Sequence, residues 1–153
     1  MKFLVILTIV GSMGISFQSC KKYEGKKDID TRKALVGTWE LRETSGGMIP
    51  GATNYPPGNG NVLKFTEDTY IISKNGQVVK SGKYLLVEDT TVEESVCLIM
   101  PKDEYTNRLV YDGDFSATKV FIEISGKRLK FVSGCYALDA GHKEEYETLA
   151  TID

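Results

Sequence analysis

The chain's only histidine, His142, lies within Asp139-Ala140-Gly141-His142-Lys143-Glu144-Glu145. Asp139, His142 and Glu145 would offer a divalent cation one imidazole and two carboxylates. Metal centres usually bring several nitrogen or sulfur ligands, so the expectation is a solvated loop histidine, with no metal and no cofactor. Asp112-Gly113-Asp114 is a fragment of a calcium-loop pattern. A full loop alternates several oxygen ligands and closes on a bidentate acid, so a hairpin turn explains the fragment better. The pairs Glu93-Glu94 and Asp103-Glu104 would do acid–base work only where their surroundings split their pKa values. Adjacent residues of a strand point to opposite faces, and both pairs read as solvated surface. The sequence offers no recognisable Ser, Cys and His nucleophile arrangement and no phosphate-cradling glycine loop before a helix. An enzyme is therefore not expected.

The remaining reactive groups are three cysteines. Cys97 falls in Val96-Cys97-Leu98-Ile99-Met100, read with its neighbours as a strand over 92–100 that Pro101 closes. An apolar strand would raise the thiol pKa and leave it inert. Cys97 and Cys135 could instead pair in an oxidising compartment. Closing a loop of this length would contribute about 4 kcal/mol in the chain-entropy model. Two unpaired buried thiols are the alternative.

Cys20 points to that compartment. Met1-Lys2 precedes the apolar run Phe3–Val10, and Gly11, Ser12, Gly14 and Ser16 interrupt the stretch after it. The run is short of the ~20 residues of a membrane span. A cationic start, a short apolar block and a small residue before a cut site describe a signal peptide over 1–19. Phe17-Gln18-Ser19-Cys20 resembles the lipobox of bacterial lipoproteins, although Phe17 and Gln18 stand where that family prefers Leu and a small residue. The resemblance implies an acylated Cys20 as membrane anchor, since stable anchoring takes more than one acyl chain. Residues 20–33 carry six positive and three negative charges and no apolar periodicity, which reads as a solvated tether. Lys21-Lys22 is unlike the acidic run of surface-exported lipoproteins, so the periplasmic face of the outer membrane is the expected location.

Without residues 1–19 the chain has 134 residues and a net charge of −3, which suits one domain over 34–153. No basic, clustered surface calls for nucleic acid. Asp30 reads as the N-cap of a turn or two of helix through Leu35. From Gly37 onward apolar and polar residues alternate. Trp39/Leu41, Leu63/Phe65, Tyr70/Ile72, Tyr84/Leu86, Leu109/Tyr111, Val120/Ile122/Ile124 and Leu129/Phe131 each mark one strand face. Asn75-Gly76 is the strongest hairpin signal, because both central residues of a type I′ turn need positive φ. Asp112-Gly113 and Ser125-Gly126-Lys127 are further turns. Residues 143–151 fit a helical stripe or a last strand, and strand is preferred because a closed sheet needs a partner for its first edge. About eight short strands in sequential hairpins describe an all-β, up-and-down barrel.

One connection differs from the rest. Residues 45–61, SGGMIPGATNYPPGNGN, hold five glycines, three of the four prolines and no charge. A long structureless loop in a compact domain is usually functional or disordered, and Met48, Ile49 and Tyr55 suit one that folds over something apolar.

Gly37-Thr38-Trp39 at the start of the first strand resembles the lipocalin signature. With LVGTWELRETSGG, the 45–61 loop and VLKFTEDTYIISKNGQVVKSGKYLL, the chain looks like the small lipocalin-like lipoproteins of Gram-negative bacteria. The resemblance implies an eight-stranded barrel closed at one end by Trp39, with the long loop over an open mouth. It also implies carriage of a small apolar or amphipathic ligand. Lipocalins place a late arginine against that tryptophan. This chain has none after Arg128, which leaves Lys143 or nothing. The domain is shorter than most carriers, so any cavity should be small.

The candidate ligand contacts are Met48, Ile49, Tyr55, Tyr70 and Tyr84, the tyrosines because a buried hydroxyl needs a partner. Trp39, Phe65, Tyr70, Tyr84 and Phe131 all read first as core, because side chains can fill a small eight-stranded barrel, and the tyrosines are the better pocket candidates among them. The second reading is a filled barrel whose 45–61 loop docks on an envelope protein or inhibits one.

Overall fold

The structure is a computed structural model that describes residues 26–47, 50–101 and 103–149. The expected signal peptide, Cys20, Met48 and Ile49 lie outside the described residues. The chain runs α1 (Lys26–Leu35), β1 (Gly37–Gly46), β2 (Ala52–Asn54), β3 (Val62–Phe65), β4 (Thr69–Lys74), β5 (Gln77–Glu88), α2 (Val92–Val96), β6 (Asn107–Tyr111), β7 (Val120–Ser125), β8 (Arg128–Ser133), a 3₁₀ turn (Tyr136–Leu138) and β9 (His142–Thr148).

Every strand pairing is antiparallel and follows chain order from β3 to β9, and β1 pairs with both β3 and β9. The sheet therefore closes on itself as an eight-stranded up-and-down barrel, which removes the edges an open sheet would expose. β2 is the additional strand. It pairs with β1 at Glu43–Ser45, beyond the point where β3 has ended. Local chemistry sets the hairpins. Asn75 and Gly76 have φ of 50° and 80° between β4 and β5, the left-handed pair that a type I′ turn requires. The residues at 142–148 are a strand, and Trp39 and Tyr146 are buried on its pairing with β1.

Three expectations need correction. The helix begins at Lys26, so Asp30 lies inside it rather than at its N-cap, and residues 26–33 of the expected tether are helical. No glycine or proline interrupts Lys26–Leu35, and its lysines, Arg32, Ala34 and Leu35 are good helix formers. Residues 92–100 are not a strand. Val92–Val96 forms a short helix, with Val92 and Val96 buried. Their spacing of four residues matches a helix face, and Glu93 and Glu94 sit in its first turn. The third concerns the 45–61 loop: among its described residues Ala52–Asn54 pair with β1 and the return from Tyr55 to Asn61 is tied down by hydrogen bonds, so they are not structureless.

The core is in two parts. Inside the barrel, Leu35, Trp39, Phe65, Tyr84, Leu129 and their neighbours pack together. Outside it, α2 and Tyr105 cover the outer faces of β7 and β8, and Val92, Val96, Tyr105, Phe121 and Val132 form a second cluster. Phe121, which alternation would put on a solvated face with Lys119 and Glu123, is fully buried there. Asp89 holds the approach to α2. Its Oδ1 accepts from the Thr91 amide (3.0 Å) and hydroxyl (2.6 Å), while Oδ2 lies 3.2 Å from Arg108 Nε and 2.9 Å from Lys119 Nζ. Burial pushes its carboxyl up, but the Thr91 and Lys119 contacts outweigh that and hold it low. Cys97, expected inside a strand, ends α2 in a left-handed conformation and is exposed. It forms a disulfide with Cys135, at a Cα–Cα distance of 5.0 Å.

Candidate functional site

The two ends of the barrel differ. At one end Leu35 and Trp39 are buried, and the Trp39 indole donates to the Leu35 carbonyl at 2.8 Å. α1 packs there against β5 and β7, and Phe65 and Tyr84 meet edge to face at 5.2 Å. This end is plugged. The late-arginine role does not pass to Lys143, which pairs in register with Ser45 and Val132, six positions along β1 from Trp39.

At the other end the interior opens into a cavity of about 430 Å³. Its apolar lining is Leu41, Leu63, Val62 and Ile72, and its polar lining includes Thr44, Tyr55, His142 and Glu144, with Tyr146 buried at its base. β9 supplies three of these because alternate strand residues share a face. His142, Glu144 and Tyr146 therefore all project inward. Tyr146 Oη donates to Glu144 Oε2 at 2.8 Å, and His142 Nε2 lies 3.2 Å from Glu144 Oε1. Phe131 packs on the Tyr146 ring at 5.4 Å. Burial, then the Glu144 charge and hydrogen bond, push the Tyr146 hydroxyl far above its ordinary pKa. Burial and the same carboxylate raise Tyr111 across the mouth. A bulge in β1 completes this wall. Leu41 faces Tyr146 and Glu43 faces Glu145, so Arg42 is the extra residue and Thr44 comes to face Glu144.

Residues 55–60 are bound to the barrel wall. The Tyr55 amide donates to the Arg42 carbonyl (2.8 Å), and the Asn59 side-chain amide donates to the Leu41 carbonyl (2.9 Å). The Gly58 amide donates to Glu40 Oε2 (3.1 Å), and Arg42 Nη1 lies on the same oxygen at 2.6 Å. Glu40 is 2% exposed as a result. Burial pushes its carboxyl up, but Arg42 and the Gly58 amide outweigh that and hold it below the usual carboxylate range. Gly60 crosses the β4–β5 turn so closely that a Cβ there would lie 2.6 Å from the Gly76 nitrogen. Its carbonyl accepts from that same amide at 2.9 Å.

Of the tyrosines expected to touch ligand, Tyr55 lines the cavity, with its hydroxyl 3.5 Å from Thr44 Oγ1. Tyr70 and Tyr84 are buried outside that lining. Tyr70 Oη donates to Asp112 Oδ2 (2.8 Å), and Tyr84 Oη donates to the Thr66 carbonyl (2.8 Å). Lys80 reaches Asp112 Oδ2 at 3.2 Å and lies over the Tyr70 and Tyr111 rings. A second hollow of about 450 Å³ opens where β6 and β7 diverge. Its charges are largely paired, Lys80 with Asp112 and both Arg108 and Lys119 with Asp89. Thr44, Ile72, Glu144 and Tyr146 are cavity residues that the sequence does not mark as ligand contacts. The period-two run His142-x-Glu144-x-Tyr146 is the one signal that could have found them.

Among the described residues no group of three or more His, Cys, Asp or Glu side chains could hold a metal ion, and Asp139, His142 and Glu145 do not form one. No described helix is long and apolar enough to cross a membrane. Comparison with protein-family models, with curated proteins and with solved structures gives no match.

Proposed function

We propose that this protein is a lipid-anchored carrier of the bacterial envelope, lipocalin-like in design, which holds a small amphipathic molecule in the mouth of its barrel. The observation that carries this reading is the cavity of about 430 Å³ above a packed floor, lined by Leu41, Val62, Leu63 and Ile72 together with Thr44, Tyr55 and Glu144. Pockets for small molecules are typically concave and mostly apolar, with a few placed polar groups. Leu41, Leu63 and Ile72 would supply affinity, and the polar wall would set orientation. Cys20 would carry the acyl anchor, at the periplasmic face of the outer membrane. α1, which follows the anchor segment in the sequence, packs at the plugged end, opposite the mouth.

Native mass spectrometry on the Cys20→Ser chain, purified gently from its own host, tests the reading. A bound mass of a few hundred daltons that leaves on denaturation is expected. A bare chain that also takes up no added amphiphile would overturn it.

A second reading is supported by β2. It pairs with β1 on one side only, and all three of its residues are exposed. Its other edge could accept a strand from an envelope protein. Under that reading the 45–61 segment docks a partner and the cavity is incidental. Thr53→Pro would then abolish capture of the partner.

A further inference from the structure

The carrier reading leaves the chemical class of the ligand open, and the mouth of the barrel narrows it. Among the described residues lining the cavity, Glu144 is the only carboxylate. It lies on β9 directly between His142 at the rim and Tyr146 at the buried base, and its side chain is 28% exposed. Each of its oxygens has one protein partner, Tyr146 Oη on Oε2 and His142 Nε2 on Oε1. A carboxylate offers about four acceptor positions, so both oxygens retain capacity on the cavity side. The hydroxyls of Thr44, the cross-strand neighbour of Glu144 on β1, and of Tyr55 line the same cavity. The cations nearby do not compensate this charge. Lys80 is committed to Asp112, and Lys74, which lines the cavity at the end of β4, is exposed, so water weakens its field.

Resting on the carrier reading, we propose that the cavity selects amphiphiles whose polar end is a protonated amine, seated on Glu144 with the hydrocarbon against Leu41, Leu63 and Ile72. A neutral alcohol of the same length makes the same apolar contacts but lacks the charge-assisted hydrogen bond. A carboxylate of the same length meets repulsion from Glu144.

The test is calorimetric titration of the Cys20→Ser chain with n-octylammonium, n-octanol and n-octanoate, repeated on Glu144→Gln. Octylammonium is expected to bind about tenfold tighter than octanol, with octanoate weakest. In Glu144→Gln the ratio of ammonium to alcohol affinity should fall to near one. That ratio is internal to each protein, so it stands whatever the substitution does to stability. Equal binding of ammonium and alcohol by the unaltered mouth, or tighter binding of octanoate, would overturn the amine proposal while the carrier reading survives. Failure of all three probes to bind would overturn both.

Discussion

The Trp39 indole nitrogen donates a 2.8 Å hydrogen bond to the Leu35 carbonyl, four residues earlier. The bond ties the end of α1 to the start of β1 across Val36 and Gly37. It satisfies both a helix-terminal carbonyl and a buried indole donor. Leu35 is fully buried beside it. Leu35→Ala should cost about 2–4 kcal/mol, because the plugged end can collapse only partly around the lost side chain. Trp39 is the chain's only tryptophan, so its fluorescence reports this end directly. Denaturant melts and a red-shifted emission in the variant are the measurements. Unchanged emission and stability would mean that α1 does not seal the barrel.

Glu40 makes the fold sensitive to acid. Its folded pKa is depressed by Arg42 and the Gly58 amide, against the opposing effect of burial. Its stabilisation is therefore fully present above the unfolded value and is lost as pH falls through the folded one. Asp89 behaves the same way. Stability should hold from neutral pH down to about 5 and decline below the ordinary carboxylate range. Glu40→Gln should cost about 2 kcal/mol at pH 7 and flatten the acid limb. Thermal melts of both proteins across pH ~3–7 decide it, and parallel curves would remove Glu40 from the account.

The Cys97–Cys135 disulfide pins the end of α2 to the strand-to-turn connection after β8. Reduction, or the double change to Ser, should lower stability by up to about 4 kcal/mol in the chain-entropy model. For a domain of this size that is roughly 10–15 °C in Tm. Hydrogen exchange should show the loss first in Val92–Val96. Equal melting of oxidised and reduced protein would mean that the second core cluster holds α2 without the covalent link.

Ile72 and Tyr70 are neighbours on one face of β4, yet they should respond differently. Ile72 lines the cavity, so Ile72→Trp should fill it and abolish uptake of n-octanol while the fold persists. Tyr70 donates to Asp112 outside that lining. Tyr70→Phe should cost about 1 kcal/mol of stability and leave uptake unchanged. The opposite pattern would move the binding site toward Lys80 and Tyr111.

Gly60 has φ of 76° and lies against the β4–β5 turn. Gly60→Ala should force the two backbones apart and loosen residues 55–61, seen as faster amide exchange at Gly58 and Asn61. Unaltered exchange would mean that the Glu40 and Asn59 contacts alone hold the strap.

Much of the barrel is legible in the sequence because its determinants are local. Alternation of period two marks a strand wherever one face is wet, and Asn75-Gly76 needs only its own φ angles to turn the chain. The candidate site is less legible. Tyr55 can be found because an aromatic stands out in an uncharged loop. Glu144 stays hidden because one acid among several neighbouring charges looks like surface. Likewise, the apolar run around Cys97 looks like a strand until Phe121 and Val132 give Val92 and Val96 a surface to pack on.

The amino-acid order by itself determined the strand class, the hairpin order and a tryptophan at the head of β1, since each depends on contacts a few residues apart. Tertiary structure decided which side chains meet in the mouth. Closure of β1 on β9 brings Leu41 to Tyr146 over a long stretch of chain, and the single extra residue at Arg42 reverses the faces beyond it. Because side chains alternate strictly along a strand, that one-residue shift turns Thr44 instead of Glu43 toward Glu144. No local pattern records it.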